Sequence, residues 1–206
     1  MQKQDRIKGT RMEWIWIRHG MTQGNREKRY IGGQTDEGLC GDGRKALETY
    51  ADSGRYPAVG RVYVSPMKRC LETAQILYPG VEKRIVSGFR ECDFGLFENK
   101  NDRELSPFPF YQEWMRAGRD AAFPGGESPD AFRRRSVEAL LGLVRAQEMP
   151  ERTAFVVHGG IIMAVFAGLD EEKKDFYDYY TENGEGFVCR VEMQTGSPVL
   201  CNSRRL

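Results

Sequence analysis

Along the chain, short continuous apolar runs alternate with longer stretches in which apolar positions recur every three or four residues. Trp14 to Ile17 is such a run, and it ends in Arg18-His19-Gly20 and a polar segment reaching Asn25. This pattern predicts a strand buried on both faces that delivers two polar side chains to the loop at its C-terminal end. Arg61 to Val64 predicts a second strand and Arg84 to Val86 a third. Ala154 to Val157 is a fourth, and Gly186 to Met193 a last one paired with Val199 to Cys201. Helical spacing falls between them. It covers about 42–50, then Pro66 to Leu77, where Met67, Cys70, Leu71, Ala74 and Leu77 share one face. Ser65-Pro66 suits the start of that helix, serine as a cap and proline in the first turn. Arg69 lies three residues in and can point back at the sheet edge. Further helices are expected at about 111–117, at 130–147 with Phe132, Val137, Leu140, Leu141 and Val144 inward, and at 160–167.

Strand–helix alternation predicts an α/β fold: a three-layer sandwich with a mostly parallel central sheet flanked by helices. Residues 12–206 are expected to form a single domain. The segment 97–127, rich in Pro, Phe, Tyr and Trp, is a small helical and aromatic excursion over the site. Residues 1–11 are polar and basic and read as a loose tail, not a signal peptide.

Composition narrows the function classes. Lys+Arg 31 against Asp+Glu 30 leaves a net charge of +1, so no bulk charge argues for nucleic-acid or membrane partners. No apolar run approaches the roughly 20 residues that span a bilayer. The five cysteines (Cys40, Cys70, Cys92, Cys189, Cys201) are scattered and never spaced as Cys-x-x-Cys. They predict neither a disulfide framework nor a metal site, and fit reduced thiols in the cytoplasm. An oligomer remains open.

The chain has only two histidines, and both follow a strand-like run and precede glycine: His19 before Gly20, and His158 before Gly159-Gly160. One such histidine is ordinarily structural. Here the pair is accompanied by Ser65-Pro66-x-x-Arg69-x-x-x-Thr73-Ala74, by Arg90-Glu91-x-x-Phe94-Gly95, and by Pro124-Gly125-Gly126-Glu127-Ser128. With Arg18-His19-Gly20-x-Thr22-x-x-Asn25, these segments resemble, in order, the histidine phosphatase superfamily of phosphoglycerate-mutase-like proteins. The resemblance runs from Trp14 to about Gly168.

That resemblance implies a small phosphorylated metabolite as substrate, a covalent phosphohistidine and no cofactor. It makes His19 the phosphoacceptor, Glu91 the acid and base, and places Arg18, Arg69 and His158 around the phosphoryl group with Asn25, Thr22 and Gly159. The chemistry agrees with those roles. A neutral imidazole is a competent nucleophile, and nearby cations keep it unprotonated. Arginine's planar fork suits phosphate oxygens. One carboxylic acid can protonate the leaving alkoxide and then activate water. Glu127 either assists or merely opens the long helix.

Two departures concern loop shape: Phe97-Glu98-Asn99 stands where many relatives have Trp-Glu-Gly, and no proline precedes Leu39. The short chain resembles the small phosphatases, α-ribazole phosphatases among them, more than the mutases with their longer insertion. Phe108, Phe110, Tyr111 and Trp114 either line an apolar side of the pocket or pack the excursion onto the core. A phosphoglycerate-mutase-type phosphomutase and a catalytically silent binding member of the fold are the alternatives.

Overall fold

The computed structural model describes residues 12–118, 120–146 and 149–206; the expected tail at 1–11 and the predicted helix end at Gln147 lie outside them. Strands β1 (Met12–Arg18), β2 (Arg61–Val64), β3 (Lys83–Ile85), β4 (Arg152–Val157), β5 (Gly186–Gln194) and β6 (Ser197–Arg205) form one sheet in the order β3-β2-β4-β1-β5-β6. The pairings β3-β2, β2-β4 and β4-β1 are parallel. β1-β5 and β5-β6 are antiparallel. The helices are α1 (Gln23–Arg26), α2 (Gly41–Asp52), α3 (Lys68–Leu77), α4 (Asp102–Leu105), α5 (Pro109–Ala117), α6 (Pro129–Arg145) and α7 (Gly159–Leu169). The architecture is the predicted α/β one, a six-stranded mixed sheet flanked by helices.

Alternation along the strands divides the core in two. Trp14, Trp16, Tyr63 and Phe155 face α6 and α7, with Phe155 stacked on Trp16 at 4.0 Å between centroids. Ile15, Ile17, Val62, Val64 and Val156 face α2 and α3 with Leu47, Cys70 and Ala74. β1 and β4 are central and covered on both sides, which is why they read as unbroken apolar runs. The last two strands are longer than their sequence signal. β6 extends from Ser197 to Arg205 because backbone pairing to β5 carries it through Asn202, Ser203 and the arginines.

α3 starts at Lys68, two residues later than expected, and its cap residue Met67 makes no side-chain cap. Asp36, from the loop ahead of α2, accepts the Lys68 amide at 2.7 Å instead. The Ser65 hydroxyl accepts only the Met67 amide there, at 3.4 Å, and serves a different task as well.

Candidate active site

Parallel register places Arg18 beside Val157 on adjacent strands, and the next residue on each is a histidine. The two imidazoles meet at the C-terminal edge of the sheet, ring centroids 5.2 Å apart and edge to face. Both are buried, His158 completely. Burial lowers the pKa of each well below the ordinary histidine range, and Arg69 and then Arg18 push His19 further down; Arg69, His19, Arg18 and Arg135 do the same to His158.

His19 Nδ1 lies 2.8 Å from the carbonyl of Gly20. A carbonyl can only accept, so Nδ1 carries the proton and Nε2 keeps its lone pair. The His158 Nε2 is held at 2.7 Å by the Ser65 hydroxyl. The Gly20 amide donates to the Thr73 hydroxyl at 2.9 Å, tying the His19 loop to α3. A Cβ on Gly20 would sit 2.5 Å from Leu47, so this glycine makes room for α2.

Arg18 donates through Nη1 to the Thr181 carbonyl at 2.6 Å and lies over the Tyr180 ring at 5.5 Å. Arg69 is fully buried. Its amino groups bind the carbonyls of Thr35 at 2.8 Å and Gly32 at 3.1 Å, so it clasps the 31–35 loop while its charge acts on both histidines. Glu98 holds the same loop from the other side, accepting from the Gly32 amide at 3.1 Å and the Thr35 hydroxyl at 2.5 Å. Asn99 has φ of 56°, the left-handed conformation that asparagine tolerates better than most residues. That explains how it stands where relatives carry glycine.

Glu91 is not paired with Arg90, whose guanidinium goes to the Gly33 carbonyl. Its carboxylate instead accepts from its neighbour, the Cys92 amide, at 2.9 Å, and from the Gly160 amide at 3.4 Å, the first turn of α7 after His158. Burial raises its pKa against the opposing pull of those amides and of Arg69 and Arg18.

A cavity of about 310 Å³ opens here, lined by Arg18, His19, Asn25, Glu91 and Gly159 among others. Of the remaining expected site residues, His158 packs directly on His19, Arg69 acts through its charge, and Thr22 does not line the space. The Thr22 hydroxyl caps α1 by accepting the Asn25 amide at 3.1 Å. Asn25 Oδ1 takes a bond from Asn183 at 3.1 Å, and the same Asn183 amide group reaches the His19 carbonyl at 3.0 Å. No motif marked Asn183 or Thr181; one acts through a lone amide and the other through its backbone.

Glu127 belongs to another place. Arg135 binds it with two nitrogens, at 3.0 and 2.8 Å, and the pair braces the Gly88 and Arg90 carbonyls ahead of Glu91. The excursion's aromatic residues also divide. Phe110, Tyr111 and Trp114 pack around Phe97, and neither they nor Phe108 line the cavity. Its aromatic wall comes from Tyr30, Phe94, Phe123, Phe132, Phe176, Tyr177 and Tyr180.

The sequence profile of the histidine phosphatase superfamily (branch 1) matches residues 14–203. Among curated proteins, the probable phosphoglycerate mutase GpmB of Salmonella choleraesuis (strain SC-B67) is 28% identical over 162 residues, 74% of each chain. The α-ribazole phosphatase of Shigella flexneri superposes with a TM-score of 0.76 at 21% identity, covering 92% of this chain and 94% of that one. That likeness is one of fold. A phosphoserine phosphatase mutant from Entamoeba histolytica gives 0.71 at 25% identity with the same coverage.

Proposed function

The chain belongs to the histidine phosphatase superfamily, branch 1, and from that premise we propose that it is a metal-independent phosphomonoesterase working through phospho-His19. The observation that carries this reading is the Nδ1 hydrogen bond to Gly20, which leaves Nε2 of a buried, neutral imidazole as the attacking atom. Nε2 attacks phosphorus, and the bond to the leaving oxygen breaks as Glu91 delivers its proton. Glu91, now a carboxylate, takes a proton from the water that attacks phosphohistidine, returning both groups to their starting state. Arg18 and Arg69 supply positive charge to the transferring group, where a metal would otherwise be needed. Asn25, Gly159 and His158 complete the phosphate site in this proposal, with Thr22 positioning Asn25 through the α1 cap.

The proposed substrate is a small phosphorylated metabolite, with α-ribazole 5'-phosphate the first candidate because the wall suits an aromatic aglycone. The enzyme is assigned to the cytoplasm, in keeping with five free thiols. Among the described residues, no helix is long and apolar enough to cross a membrane.

Incubation with a radiolabelled aryl phosphate in excess chelator is expected to release phosphate. Rapid quenching should trap label that is stable to base, labile to acid and absent from His19→Ala. Activity that survives His19→Ala, or that needs a divalent ion, would sink the proposal. A phosphomutase is the second reading, favoured by the names of the curated relatives; transfer between the hydroxyls of a phosphoglycerate that outpaces hydrolysis would establish it.

A further inference from the structure

Away from His19, the cavity wall carries two more arginines, Arg29 and Arg133, that the reaction does not use. Arg29 is saturated. Its Nε donates to Glu27 at 2.6 Å, Nη1 to Glu104 at 2.8 Å and to the Asn99 carbonyl at 2.7 Å, and Nη2 to Glu104 at 3.1 Å. Hydrogen bonds from Arg29 hold both carboxyls below their ordinary range, so both are ionised at neutral pH. Arg133 lies over the Phe176 ring at 4.8 Å, with Asp120 and Asp130 each 3.4 Å from its amino groups. Each rim arginine thus faces two carboxylates, those beside Arg133 being largely exposed, and the buried Nε–H of Arg133 has no partner among the described residues. The intervening wall, Phe94, Phe123, Phe132 and Met163, is apolar.

Resting on the phosphomonoesterase reading, we infer that the cavity selects phosphomonoesters of uncharged alcohols that carry an aromatic group and rejects those bearing a second acidic group. One anion is welcomed at Arg18 and Arg69. A second would be desolvated against aromatic carbon and would face the carboxylates that flank both rim arginines. Four carboxylates against two arginines give the rim a net negative formal charge. Arg29 and Arg133 are wall-building residues held in place, not anchors for substrate.

Calorimetric binding of phenylphosphonate and 4-carboxyphenylphosphonate reads this without turnover. The carboxylated ligand is expected to bind about tenfold more weakly or worse, a difference of roughly 1.4 kcal/mol. In the Glu27→Gln/Glu104→Gln double variant, which frees Arg29, the gap should narrow by up to about fivefold, the scale of exposed ion pairs. Turnover of phenyl phosphate should be unchanged in that variant. Equal or tighter binding of the carboxylated ligand by the unaltered protein, or binding of neither, would overturn the inference. If the binding preference holds while phenyl phosphate is not hydrolysed, selection stands and the phosphatase reading fails.

Discussion

Glu91 is crowded on the side facing α7: a Cβ at Gly160 would sit 2.6 Å from its Oε1 and 2.9 Å from the Phe132 ring. Gly160→Ala is therefore expected to displace the carboxyl without touching His19. Hydrolysis of an alkyl phosphate should fall about tenfold or more, with the quenched phosphohistidine still detectable; an unaltered kcat would refute the crowding argument. Glu91→Gln removes the proton itself. Loss of general acid catalysis costs about 10²–10⁴ in rate. The loss should be largest for alkyl phosphates, whose alkoxide most needs protonation, and smaller for p-nitrophenyl phosphate, which leaves unaided. Equal losses on the two substrates would assign Glu91 another role. The candidates Arg18, His19, Glu91 and His158 were legible because each side chain sits in a short motif at a strand end or loop. Asn183 was not, because a lone amide bridging the His19 carbonyl and Asn25 leaves no pattern behind.

At the scale of elements, legibility followed the strength of local periodicity. β2 was read to the residue, whereas α3 began late because its cap comes from Asp36, thirty-two positions away. Only the tertiary structure could reveal that Ser65 serves His158. The segment 170–180 carried no pattern, and the reason is its fastening. Asp170 is buried and accepts from the Tyr179 hydroxyl at 2.8 Å and the Ser203 hydroxyl at 3.2 Å, pinning the segment to β6. That anchor presents Phe176, Tyr177 and Tyr180 to the cavity. Tyr179→Phe deletes one partner of a buried carboxyl, a change worth about 1–3 kcal/mol. If the segment is a substrate wall, KM for a bulky aryl phosphate should rise several-fold while kcat is preserved. A fall in kcat with KM unchanged would make the anchor a matter of stability alone.

For the whole molecule, β–α alternation revealed the parallel half of the sheet, and the antiparallel edge was partly visible as a paired C-terminal run. The buried histidines were legible as candidates but their environment was not, and it has a global consequence. Unfolded, each histidine titrates near pH 6.5; folded, burial and the two arginines hold both well below that. As pH falls through 6.5 the unfolded chain binds protons that the folded one refuses, so stability declines with acidification. Two sites give a slope approaching about 2.7 kcal/mol per pH unit. Glu91 works the other way: its folded pKa is raised, so its contribution is complete below about pH 4.3 and fades as pH climbs through the folded value. One proton opposes two, and the histidines dominate the window just below pH 6.5. Urea unfolding at pH 7.5, 6.0 and 5.0 should show this loss, and His158→Asn should lower its slope by up to about 1.4 kcal/mol per pH unit. A slope that His158→Asn leaves untouched would mean that the acid sensitivity arises elsewhere in the chain.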